Sequence, residues 1–228
     1  MKSQKITNDS EHSRRRYEDA CGTAHALDLL GERWAFLVVR ELMLGPKRFS
    51  DLRADLPGIS ANVLTQRLEG LEASGILTRR KLPPPASTQV YELTPWGLET
   101  LPIFQTMGRW AARSPLHDPT LPISANSLLL SFTTMFDATR AAGLDAGIGM
   151  RFGRESFLVR IADGRIAAAR DDLAGADVIF EGTPPTLGAA VYGAVPLDAL
   201  VASDALTFTG DRALAERFLT LFPLPAKA

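Results

Sequence analysis

The sequence contains one cysteine, Cys21, in 228 residues, so an intramolecular disulfide is excluded. Its three histidines, His12, His25 and His117, stand in no metal-ligand spacing, and neither a metal nor another cofactor is expected. Catalytic signatures are absent too. Gly147-Ile148-Gly149 runs on to Phe152 where a dinucleotide fingerprint needs glycine, and there is neither a phosphate-loop GKS/T nor a G-x-S-x-G elbow. An enzyme is therefore not expected. Long apolar runs are lacking: the longest, Leu187 to Leu197, falls well short of the roughly 18 residues of a membrane helix. The N-terminus is polar and charged through Arg16, with no signal core, so a cytoplasmic chain without a membrane partner is expected.

What is present is globular: 46% hydrophobic and 22% charged residues. The net charge of -1 hides an asymmetry. Up to Ser114 there are 16 basic against 13 acidic residues, a balance of +3; from Pro115 on there are 9 against 13, a balance of -4. Residues 1–16 hold almost no large apolar side chains and include Arg14, Arg15 and Arg16, which reads as a flexible basic arm. Pro115, Pro119 and Pro122 bar any helix or central strand, so residues 114–123 read as a linker between a domain over 17–113 and another over 124–228.

In the first domain, apolar spacing predicts helices over Ala24–Leu30 and Trp34–Leu44, with Glu41 as one wet position in the buried stripe of the second. A short helix over Phe49–Leu56 stops at Pro57-Gly58. Ser60 then caps a fourth helix with Leu64, Leu68 and Leu71 buried, ended by Gly75. Ile76–Leu82 and Thr88–Leu93 read as strands around the loop Pro83–Ser87, and Pro95 opens one last helix through Arg113. Two helices on a tight turn followed by a two-stranded ribbon is the layout of a winged helix-turn-helix. Opposite the three leucines, the fourth helix carries Asn62, Thr65 and Gln66 near the end that enters a major groove. Asn62 and Gln66 can each pair bidentately with adenine. Lys47, Arg48 and Ser60 precede the two helices, and Arg79, Arg80 and Lys81 lead into the loop, placed for phosphates or the minor groove. Double-stranded DNA is the expected partner.

The stretch from Cys21 to Leu77, with LTQRLEGLEASGIL inside it, and VYELTPWGLETL from Val90 to Leu101 resemble the HxlR-type winged-helix regulators. The resemblance spans residues 17–113 and departs at Gly22, where the family usually carries proline after its cysteine. It implies a dimeric transcription regulator with the fourth helix in the major groove, the Pro83–Ser87 loop as wing, and dimer contacts from the N-terminal and last helices. On that last helix, Trp96, Phe104, Met107 and Trp110 offer more apolar surface than a domain of about 100 residues can bury. Cys21 matches the position that some such regulators use as a thiol sensor, and His25 one turn on could favour the thiolate. The alternative is a small buried side chain packing the first helix.

In the second domain, Ser124–Ala142 reads as an amphipathic helix with Leu128, Phe132, Met135, Phe136 and Thr139 on one face. Ile148–Phe152, Phe157–Ala162 and Arg165–Ala169 form an antiparallel meander. Val178–Glu181 and Leu206–Thr209 add strands, with helices opening at Thr183-Pro184, Pro196 and Asp211. The whole chain is thus expected to be α+β, a winged domain followed by an α+β domain with an antiparallel sheet. FLVRIADGRIAAAR, VIFEGTPPTL and LTFTGDRALAERFLTLFP resemble the sterol-carrier-protein type domain over residues 124–224. That resemblance implies a tunnel for an apolar small-molecule effector; candidate lining residues are Phe132, Phe136, Val159, Ile161, Val191, Tyr192 and Leu200, all of which would equally fill a dry core. The reading is a ligand-responsive DNA-binding regulator, with an apolar-metabolite carrier whose winged domain makes protein contacts as the alternative.

Overall fold

The computed structural model describes residues 17–84 and 86–228. The basic arm over 1–16 and Pro85 of the wing loop lie outside the described residues. The first half runs α1 (Gly22–Leu30), α2 (Ala35–Leu42), α3 (Phe49–Asp55), α4 (Ala61–Ala73), β1 (Leu77–Lys81), β2 (Gln89–Leu93), α5 (Pro95–Leu98) and α6 (Leu101–Ala111). The leucine spacing of α4 does what helical periodicity requires: Leu64, Leu68 and Leu71 are buried. They join Val38, Val39, Leu42 and Leu52 in one core. β1 and β2 pair antiparallel with Leu77 opposite Leu93, and Lys47 adds a single bridge to Tyr91.

The expected single helix from Pro95 is broken in two. Pro102 has no N–H to give to the preceding turn, and the Thr100 hydroxyl donates instead to the Gly97 carbonyl at 2.7 Å.

The second half runs α7 (Ala125–Met135), β3 (Ala146–Phe152), β4 (Glu155–Ala162), β5 (Arg165–Arg170), β6 (Val178–Gly182), α8 (Pro184–Tyr192), α9 (Leu197–Ala202), β7 (Leu206–Gly210) and α10 (Arg212–Leu219). Its sheet has the order β5-β4-β3-β6-β7. The meander and the β6–β7 pair are antiparallel as expected, but β3 and β6 pair in parallel. The parallel pair requires the chain after β5 to cross back over β3. It does so directly above Gly147 and Gly149: a Cβ at Gly147 would lie 2.6 Å from the Gly175 carbonyl oxygen, and one at Gly149 would lie 3.1 Å from the Leu173 side chain. The two glycines, two residues apart and so on one face, are the floor of this crossover.

α7 is shorter than expected and buried nearly all round. It ends at Met135 because Asp137 turns the chain, its Oδ1 accepting from the Thr139 and Arg140 amides; Thr139 is exposed and belongs to no buried face. A helix buried on nearly all sides lies between two layers. Leu130 enters the core of the first half, while Leu128, Leu129 and Phe132 enter the core of the second. Lys227 ties back as well: its Nζ donates to the carbonyl of Ala112, the C-cap of α6, where helix carbonyls lack partners, and to those of Ser114 and His117 beyond it.

Candidate nucleic-acid interface and the cleft behind it

The turn between α3 and α4 is Leu56 to Ser60, with Gly58 at φ 92°. Ser60 caps α4, its Oγ accepting from the Val63 amide at 3.3 Å. The cap and the three buried leucines fix the rotation of α4, which leaves Asn62, Thr65, Gln66 and Glu69 exposed on the opposite side. From behind, Arg67 fastens α4 to the α1–α2 turn: Nε donates to the Arg33 carbonyl at 3.0 Å and Nη2 to Glu32 at 2.9 Å. Arg48 is exposed at the start of α3, its amide donating to Asp51. On the ribbon, Arg79 pairs with Glu72 and Arg80 with Glu92, both at 2.7 Å and part-exposed, and Lys81 is exposed.

Lys47 does not belong to this surface. It is 3% exposed, and its ammonium lies 2.9 Å from Glu41 and 2.5 Å from Asp55. Sequence reasoning placed it beside Arg48 on the strength of the dipeptide. The backbone bridge to Tyr91 instead turns its side chain inward. Glu41, expected to be wet, is fully buried. It accepts from Arg40 Nε and Lys47 Nζ, both at 2.9 Å, and from the Ser124 hydroxyl at 2.7 Å, which removes the cost of burying a lone carboxylate. Asn126 Nδ2 donates at 2.7 Å to the Glu41 carbonyl, in the last turn of α2, where helical carbonyls lack a partner of their own. The two halves are thus joined through Glu41. Nothing in the sequence announced this except a lone charge in an apolar stripe.

Beside this network a cavity of about 550 Å³ opens between the halves. The first half contributes Trp34, Asp55, Leu56 and Pro57; the second contributes Ser124, Phe152 and Glu155. Burial pushes the Asp55 carboxyl above the ordinary carboxylate range, opposed by its bond to Lys47 and reinforced by Glu41 and Glu155. Trp34 holds φ at 78°, the left-handed region that bulky residues adopt only under constraint.

The seven residues proposed for an apolar tunnel do come together, as one packed core. Phe132 stacks on Phe222 at 4.5 Å and meets Phe218 edge-on at 5.6 Å; Val159 and Ile161 are fully buried on the sheet face below. Phe136, Val191, Tyr192 and Leu200 are partly buried around them. Burial raises the Tyr192 hydroxyl pKa, and its oxygen shares a hydrogen bond with Ser131 at 2.7 Å. None of the seven lines the cavity.

Cys21 is free and exposed, not a buried packing residue. It stands at the N-cap of α1. The Ala24 and Thr23 amides hold its thiol below the ordinary range, without a fully formed cap bond. His25 contributes nothing to that shift. Of the aromatic and thioether surface expected on the last helix, Trp96, Met107 and Trp110 are exposed, Trp110 at 73%. Phe104 instead packs against Phe36 at 5.6 Å.

A tri-helical core, a capped helix with a polar outer face and a two-stranded ribbon define a winged helix-turn-helix protein. Comparison with known proteins carries this to a family. Residues 29–117 match HxlR-like helix-turn-helix, and residues 140–223 match the SCP-2 sterol transfer family. YvaP of Bacillus subtilis (strain 168), an uncharacterized HTH-type transcriptional regulator, is 38% identical over 86 residues, covering 38% of this chain and 80% of YvaP. The HTH-type transcriptional regulator YodB of the same organism is 41% identical over 86 residues, 38% of this chain and 77% of YodB. The solved reduced form of YodB from B. subtilis is similar at 36% identity and a TM-score of 0.39, covering 44% of this chain and 100% of that one. The chain belongs to the HxlR-like helix-turn-helix family.

Proposed function

We propose that this chain is a DNA-binding transcriptional regulator that acts as a homodimer and answers to a small molecule through its second half. The observation that carries the reading is the solvent-facing set Asn62, Thr65 and Gln66 on a helix capped at Ser60 and anchored from behind by Arg67. Side chains of this type, near the N-terminal end of a helix that enters a major groove, read base edges. Arg48, Arg79, Arg80 and Lys81 serve the phosphates. The ion pairs of Arg79 and Arg80 are exposed surface pairs, screened by water and weak enough to exchange for phosphate. The division into a DNA-binding unit over 17–113 and a ligand-responsive unit over 124–228 is part of the same proposal; the presence of two hydrophobic cores supports it, with Leu130 of the second unit reaching into the core of the first. A pure carrier role is not favoured, since the relatives are regulators. Among the described residues, no helix is long and apolar enough to cross a membrane.

The reading is tested by fluorescence anisotropy with duplexes from upstream of the chain's own gene. Binding tighter than to random duplex, and weakening steeply with salt, is expected. No preference over random DNA at any salt concentration refutes it.

A further inference from the structure

The packed core of the second half and the open space between the halves are different places, and their chemistry differs. The core is aromatic and aliphatic throughout, with Phe132, Phe218 and Phe222 in mutual contact. The cavity has apolar walls, chiefly Trp34 and Phe152, but it also carries a carboxylate from each half, Asp55 and Glu155. Their partner cations, Lys47 and Arg170, are not among the lining residues. Among the described residues the one basic lining residue, Arg40, is already committed, Nε and Nη2 both lying on Glu41 at 2.9 and 2.8 Å. A molecule in the cavity therefore meets two carboxylates, each already holding one cation outside the lining, Asp55 with Lys47 at 2.5 Å and Glu155 with Arg170 at 2.6 Å, and two aromatic side chains, of which Trp34 already carries the Arg33 guanidinium 5.5 Å from its ring centroid. Carboxylates and ring faces both attract a cation, and desolvation strengthens the attraction. About 550 Å³ is within the roughly 300–1,000 Å³ of small-molecule sites.

We propose that this cavity, through which the second half with Ser124, Phe152 and Glu155 meets the first, is the effector site of the chain, and that it takes an organic cation on an aromatic or branched apolar body, seated between Asp55 and Glu155. Two walls of the site belong to the DNA-reading apparatus. Leu56 and Pro57 are the start of the turn into α4, and Trp34 sits in the α1–α2 turn whose Arg33 carbonyl and Glu32 carboxylate hold Arg67 of α4. An occupant bridging the halves bears on both attachments of α4. Its differential affinity for the DNA-competent arrangement would then shift DNA binding. This last step rests on the regulator reading; the ligand site does not.

The test is isothermal titration calorimetry of the full chain with tetraphenylphosphonium and with tetraphenylborate, ions of the same shape and opposite charge. Phosphonium binding at least about tenfold tighter than borate is expected, and Glu155→Gln should weaken it about tenfold, the loss of one charge contact. Asp55→Asn should act likewise. Asp55→Asn also disturbs the buried Lys47, and Glu155→Gln the pair with Arg170, though a glutamine oxygen can still accept from Arg170 Nη1; Glu155→Gln therefore carries the test, with its urea unfolding midpoint measured alongside to confirm that the fold is kept. Absence of phosphonium binding, equal affinity for the two ions, or phosphonium affinity untouched by Glu155→Gln overturns the proposal. Phosphonium binding by a chain that prefers no DNA sequence supports the site and sinks the regulator reading.

Discussion

The Ser124 hydroxyl does two jobs at once: its oxygen caps α7 by accepting from the Ser127 amide at 3.1 Å, and its proton goes to Glu41 Oε1 at 2.7 Å, 83 residues away in sequence. One side chain thus starts the helix shared by both cores and joins it to the fully buried carboxylate of α2.

The two partners should differ in cost. Glu41→Ala leaves Lys47 buried with Asp55 as its remaining carboxylate and should cost about 3–5 kcal/mol. Ser124→Ala loses a cap and one hydrogen bond, about 1–2 kcal/mol. Urea unfolding of both and of the double variant checks this; strictly additive losses would mean that the 2.7 Å contact carries no coupling.

On DNA, Gln66→Ala should cost about 1–3 kcal/mol on the specific site and little on random duplex, while Arg80→Ala weakens both alike. Lys47→Met should leave the salt dependence of binding unchanged, because a lysine 3% exposed neutralises no phosphate. A slope reduced by about one would return Lys47 to the interface.

Trp110, 73% exposed, with Met107 and Trp96 on the same terminal stretch of the first half, forms the apolar surface proposed for the dimer. Trp110→Glu should shift sedimentation from dimer to monomer at micromolar concentration. A wild-type monomer under those conditions is the contrary outcome.

Cys21 should alkylate with iodoacetamide at lower pH than an ordinary thiol, since the free amides at the start of α1 stabilise the thiolate. His25→Ala should leave that profile in place. If the thiol is the sensor that the family resemblance implies, diamide releases DNA from the wild type and not from Cys21→Ser; identical release from both assigns the response elsewhere.

Asp55 titrates above its ordinary value of 3.8 because burial outweighs its bond to Lys47. The raised value means that the folded chain holds this proton more tightly than the unfolded one. The contribution to stability is complete below 3.8 and is lost as pH rises through the folded value. Lys47→Met removes the largest opposing influence, so carboxyl NMR should show Asp55 titrating higher still. Glu41 and Glu155, the other charges that act on it, push in the same upward direction.

The sequence by itself determined the elements whose signals are local. Ser60, the spacing of Leu64, Leu68 and Leu71, and Gly75 specify where α4 begins, which face it buries and where it stops, and the polar outer face follows from that rotation. Asp163-Gly164 likewise specifies the β4–β5 hairpin. Caps, turns and periodicity act over a few residues and so are written in neighbouring residues.

What only the tertiary structure decided depends on groups far apart in the chain. The glycines at 147 and 149 carry no sign that a crossover will lie on them. Nor do Lys47 and Glu41 carry a sign that each will be the other's partner. A charge is readable as surface until a second element covers it, and the element that covers Glu41 begins at Ser124. Asp55 and Glu155 are likewise far apart in the chain: a cavity between two halves exists only when both are folded against each other, and no local pattern in either records it.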